Sequence, residues 1–193
     1  LGVVVGAVVV PDDGPGKDGR PTARDDHESI AKALLRPEDL PPGAEWDQTG
    51  GLGWELPYHL TPPPPCGGRK VPAPSDFGRE AFSGSTVAYV DVLVAAYWSE
   101  AEASTAFDAS APALLCNIDA IARSQSTPAA DVVRKPGDVA GADESYAMSV
   151  RAAVEGSEEA FLVVARAGRF VVMVNGTTLE GSRGIAAQVI ARL

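Results

Sequence analysis

The chain has 193 residues, with 16 Lys and Arg against 26 Asp and Glu and a formal net charge of −10. That length suits one domain plus a tail, enough to bury a real core. The acidic balance excludes a nucleic-acid partner, because nothing would neutralise phosphates, and no basic cluster offers attraction to anionic lipid.

Leu1 to Val10 is continuously apolar and carries no charge, yet it is too short to span a bilayer, which takes about 20 residues. The chain starts without Met, so this stretch reads as the remaining end of a signal peptide or transmembrane helix; the alternative is a buried first strand. Pro11-Asp-Asp-Gly-Pro-Gly-Lys-Asp-Gly-Arg-Pro21 can bury nothing and reads as a solvated linker. The expected organisation is an anchor remnant over 1–10, a disordered linker over 11–25 and one extracytoplasmic domain over 26–193.

Asp25 or Asp26 is expected to cap a short helix from His27 to Arg36, with Ile30, Ala33 and Leu34 as its apolar stripe and Pro37 as its stop. After a turn over Glu38–Gly43, Glu45-Trp-Asp-Gln-Thr49 reads as an edge strand. Gly50 to Pro74 reads as a long irregular loop holding Trp54, Tyr58 and His59. Within it, Pro62–Pro65 sets a stiff polyproline segment that leads into Cys66. Phe77–Ser83 predicts a short strand.

Thr86 to Tyr97 has the β-branched and aromatic content of the central strand. Ala88, Val90, Val92, Val94 and Ala96 form a wholly apolar face, whereas Tyr89, Asp91, Leu93, Ala95 and Tyr97 form a mixed one, expected to be at least partly wet. Ser99 and Glu102 have capping-box spacing. Ala103, Phe107, Ala111, Leu114, Leu115, Ile118 and Ile121 then keep helical spacing almost to Arg123. The spacing survives Pro112, which predicts a kinked helix.

Further strands are expected at Asp131–Arg134, from Tyr146 with strict two-fold alternation, and at Ala160–Ala167 and Phe170–Asn175. The last two are joined by a tight Gly168-Arg169 turn. Ser182 is expected to cap a last helix carrying Ile185, Ala186, Val189, Ile190 and Leu193. The predicted fold class is α+β: a mostly antiparallel sheet of about five or six strands, the central and last helices packed on one face.

The chain holds two cysteines, Cys66 and Cys116, with no CxxC and no neighbouring histidine. A zinc site would need two more ligands, and His27 and His59 lie far off. A structural disulfide formed in an oxidising compartment is the leading reading, with two unpaired buried thiols as the alternative. By chain-entropy reasoning such a bridge adds about 4 kcal/mol, less any strain. At 3.6 residues per turn Cys116 points away from the Phe107, Leu114 and Ile118 stripe, so a bridge would tie the Pro-rich loop over the outer face of the helix.

No catalytic constellation stands out: there is no G-x-S-x-G, H-E-x-x-H or P-loop, and no cofactor or metal is expected. Gly50-Gly-Leu-Gly53 reads as a loop. Asp138, Asp143 and Glu144 lack EF-hand spacing and read as a solvated turn rather than a calcium site. The candidate ligand-binding residues are Tyr89, Asp91 and Tyr97 on the mixed face of the central strand, with Arg151 on the late strand. Aromatic bodies with a few fixed polar groups suit a small-molecule cleft; the competing reading is an ordinary solvent-facing sheet surface.

In arrangement the chain resembles the PknH-like extracellular sensor domains of actinobacteria. The residues that carry the resemblance are Ala33-Leu-Leu-Arg-Pro-Glu-Asp-Leu-Pro-Pro-Gly43, Cys66 after a Pro-rich loop, Val90-Asp-Val-Leu-Val-Ala-Ala-Tyr-Trp-Ser-Glu-Ala-Glu-Ala103 and Leu114-Leu-Cys116. Gly137-Asp138, Arg166-Ala-Gly-Arg-Phe-Val171 and the closing amphipathic helix complete it. Such domains stand outside the membrane helix of some receptor serine/threonine kinases or occur as free-standing exported proteins. The resemblance implies a periplasmic or cell-wall-facing module that binds a ligand and has no catalytic residues to transfer. The expected partner is an unidentified small-molecule or cell-envelope ligand, with membrane contact only through the N-terminal apolar segment. A structural or protein-interaction module of the envelope is the alternative.

Overall fold

The computed structural model describes residues 22–39, 46–48, 51–52, 71–84, 89–124, 131–151 and 159–193. The Leu1–Val10 stretch, the linker to Pro21, Trp54, Tyr58, His59, the Pro62–Pro65 run and Cys66 lie outside them.

In chain order the elements are α1 (Ala23–Ala33), a 3-10 turn (Pro37–Asp39), β1 (Trp46–Gln48), β2 (Gly51–Leu52), β3 (Asp76–Gly84) and β4 (Tyr89–Ala96). Then come α2 (Glu100–Ser124), β5 (Asp131–Pro136), β6 (Glu144–Arg151), β7 (Glu159–Ala167), β8 (Phe170–Gly176) and α3 (Leu179–Ile190). All strand pairings are antiparallel, in the order β1-β3-β4-β8-β7-β6-β5, with β2 also on β3. The fold is α+β, as expected; six long strands build the sheet and two short ones extend its β3 edge. Gly168 takes φ +55° in the tight turn between β7 and β8, where a side chain would be strained.

Helix placement departs from the expected single covered face. Ile30 and Ala33 of α1 and Ala186, Val189 and Ile190 of α3 pack with Phe82, Val90, Val92, Val94, Ala96, Val163, Val172 and Val174. Ala103, Ala106 and Phe107 of α2 pack instead with Leu93, Ala95, Tyr97, Tyr146, Met148, Val164, Val171 and Met173. The register puts these two residue sets on opposite sides of the sheet. The central and last helices therefore cover opposite faces. The physical reason lies in β7 and β8, whose Phe161–Ala165 and Phe170–Val174 runs are continuously apolar. Strands of that kind are stable only when both faces are covered.

Helix starts are also corrected. Thr22, not Asp25 or Asp26, caps α1: its Oγ1 accepts from the Asp25 N–H at 3.2 Å, and the Asp25 carboxylate accepts from the Thr22 N–H at 2.9 Å. The helix thus begins inside the stretch read as linker. Thr178 rather than Ser182 caps α3, accepting from the Gly181 N–H at 3.2 Å, while Ser182 is buried and donates to the Thr178 carbonyl. The start of α2 is as read, with the Glu102 N–H donating to Ser99 Oγ at 3.2 Å, and the helix continues through Pro112. Among the described residues no helix is long and apolar enough to cross a membrane.

Candidate functional site

Strand β4 sets the site because both its faces are used. Val90, Val92, Val94 and Ala96 face α1 and α3, whereas Tyr89, Asp91, Leu93, Ala95 and Tyr97 face the α2 side. The mixed face is not uniformly wet. Leu93, Ala95 and Tyr97 are buried beneath α2, and only the early end of the strand, Tyr89 and Asp91, lies outside that layer.

That early end forms a polar corner. Arg79 of β3 lies opposite Leu93, diagonally two residues from Asp91 on the same face, and grips Asp91 with two parallel bonds, Nε to Oδ1 at 2.8 Å and Nη2 to Oδ2 at 2.7 Å. This two-pronged pairing is the geometry that makes guanidinium–carboxylate contacts strong, and it holds the Arg79 proton even more firmly than usual. Tyr89 keeps 40% of its surface exposed. Its hydroxyl lies against both partners: loss of water raises its pKa first, the Asp91 charge raises it further, and Arg79 partly offsets the rise. Asn175 of β8 lies directly across from Asp91 on the same face.

Tyr97 occupies the other end of the strand in a different setting. It is fully buried, and among the described residues its hydroxyl has no hydrogen-bond partner; burial drives its pKa up. Its neighbour in the same layer, Tyr146, shares a 2.6 Å bond with Ser110 of α2 and stacks at a tilt on Phe107, ring centres 5.4 Å apart. Burial pushes the Tyr146 phenol up to about 12, with the Ser110 bond working against it.

Arg151 does not join this group. It closes β6 on the opposite face, in register with Glu159, and pairs with that carboxylate at 3.4 Å. The structure thus brings Tyr89 and Asp91 together, sets Tyr97 at the far end of the same strand under α2, and turns Arg151 away. Sequence reasoning missed Arg79 and Asn175. The available signal was Arg79 at an alternate position of Phe77-Gly-Arg-Glu-Ala81, a charge in a strand face otherwise occupied by Phe77 and Ala81.

The acidic residues of the β5–β6 region are divided between arginines: Asp138 pairs with Arg183, and Asp143 and Glu144 with Arg166. Among the described residues no cluster of His, Cys, Asp or Glu could hold a metal ion. Trp98, at the junction of β4 and α2, is 44% exposed. Cys116 is partly buried on α2 and is not a free thiol; Cys66 lies outside the described residues, so its pairing is taken up as a proposal.

No protein-family model matches the sequence, and no curated protein matches it. Among solved structures, the chain is similar to the extracellular domain of PknH from Mycobacterium tuberculosis, with a TM-score of 0.55 and 14% identity over 86% of this chain and 94% of that one. At that identity the likeness is one of fold.

Proposed function

We propose that the chain is a non-catalytic extracytoplasmic sensor or ligand-binding domain of an actinobacterial envelope protein. In this reading Leu1–Val10 belongs to a membrane anchor or export signal, and Cys66 bridges to Cys116 so that the Pro-rich loop straps α2. The fold it shares with an extracellular domain over most of both chains supports the location.

The observation that carries the binding role is the corner at the early end of β4. An exposed aromatic ring stands there beside a fixed guanidinium–carboxylate pair, outside the layer α2 covers. Arg79 spends both prongs on Asp91, so the corner presents no spare charge, and the chain as a whole is acidic. Such a surface suits an uncharged, hydroxyl-rich ligand that stacks on Tyr89 and exchanges hydrogen bonds with Asp91 and Asn175; an anion would be repelled.

Titration calorimetry with a panel of neutral oligosaccharides, with inorganic polyphosphate as the anionic comparison, tests this. A neutral sugar should bind, and Tyr89→Ala should weaken it about tenfold or more, the loss of roughly 1.4 kcal/mol. Binding of polyphosphate alone, or sugar binding indifferent to Tyr89, would remove the assignment. For the compartment, mass mapping of the non-reduced chain should show a Cys66–Cys116 peptide pair.

A further inference from the structure

At the end of the sheet opposite the Tyr89 corner, three segments converge on one guanidinium. Asp26 of α1 has a side chain with no exposed surface, and it is held by Arg169 from the β7–β8 turn and by the Ser75 hydroxyl. Arg169 also donates to the Tyr97 carbonyl at 3.2 Å, where β4 passes into α2, and its own carbonyl accepts from the Tyr97 N–H at 3.0 Å. The Ser75 N–H donates to the Ala96 carbonyl at 2.8 Å, and the next residue, Asp76, meets His27 Nδ1 at 3.1 Å. The guanidinium is capped by the Phe170 ring, 4.7 Å away.

We propose that Asp26 and Arg169 form a latch that makes the seating of α1 and the start of α2 one cooperative unit. The two helices lie on opposite faces of the sheet and share no apolar layer. Among the described residues, this side chain connects them around the end of the central strands β4 and β8. A buried carboxylate separated from its cationic partner is a large cost, so α1 leaves its seat only if Arg169 moves with it. Movement of Arg169 releases the Tyr97 carbonyl, two residues before the Ser99 carbonyl that accepts the first α2 bond from the Ala103 N–H. The reverse also holds, because a coupling free energy acts equally in both directions. The latch stands whether or not a ligand binds the Tyr89 corner; if one does, a change in α2 reaches the first helix of the domain by this route.

Hydrogen–deuterium exchange on the full chain tests it. In the wild type under a low-denaturant titration, amides of α1 and of the Ser99–Ala106 stretch should open together, with the same denaturant slope. In Arg169→Lys, both should exchange about tenfold faster or more. Asp39→Asn is the comparison: it cuts the Arg192 tie at the other end of the α1 segment, which does not reach α2, and should loosen 34–39 alone. Faster exchange in α1 with α2 unchanged in Arg169→Lys would overturn the latch. So would separate openings of the two stretches in the wild type, a result that needs no variant to fold.

Discussion

The two faces of the sheet are finished differently. On the α1 and α3 side, apolar rows from five strands meet two helices, and arginines tie the margins: Arg192 to Asp39 and the Leu34 carbonyl, Arg183 to Asp138 and the Pro136 carbonyl. On the α2 side, among the described residues, a single helix crosses the sheet, a buried phenol is left without a partner, and the layer gives out before Asp91 and Tyr89. A closed face spends its residues on packing; an incompletely covered one keeps polar and aromatic groups available. On the function proposed above, the first face serves structure and the second recognition.

The comparison can be broken most forcefully at Phe82, which is fully buried on the closed face. Phe82→Ala should lower unfolding free energy by about 3–5 kcal/mol in urea titrations. A loss much smaller than that would mean this face relaxes as easily as the other. A pair of hydroxyl deletions sharpens the opposite side. Tyr146→Phe removes a made bond and should cost about 0.5–1.5 kcal/mol, whereas Tyr97→Phe removes an unpartnered hydroxyl and should raise stability by about 1 kcal/mol. If Tyr97→Phe destabilises, the hydroxyl has a partner in solution, and α2 sits differently over it.

The smallest effect concerns the arginine ties. Hydrogen bonds from Arg192 hold the Asp39 carboxyl down at about 2, against an ordinary value of 3.8. A folded-state pKa below the unfolded one gives stability that is present above the unfolded value and is lost as pH falls through the folded one. Asp39→Asn should therefore cost under about 1 kcal/mol at pH 7, as partly exposed ion pairs do. Its curve should meet that of the wild type as the pH drops from about 4 to 2. Parallel curves down to pH 2 would show that the tie carries no charge-dependent stability.

Most strands were legible because alternation and β-branched content act locally: β3, β4, β7 and β8 lie where Phe77–Ser83, Thr86–Tyr97, Ala160–Ala167 and Phe170–Asn175 place them. The Gly168-Arg169 turn was legible for the same reason. The two-sided burial was not, because Tyr89 and Asp91 mark the mixed face of β4 as wet when they describe only its uncovered end. Caps misled where several candidates stood in a row. Asp26 has the chemistry of a cap, but a guanidinium 143 residues later takes it for burial. The Arg79–Asp91 corner and the separation of Arg151 from it depend on register, which fixes faces only once the strand order is known.

Arg169 and Arg192, the two residues that fasten the first helix, stand 143 and 153 residues beyond the acids they hold. β4 likewise finds its β8 neighbour only near the end of the chain. During synthesis β3 and β4 emerge soon after α1 and give it an apolar seat, but both arginine ties and the β8 neighbour of β4 are still missing. Long-range closure of this kind is slow, and it keeps this layer unfinished until the last few dozen residues appear.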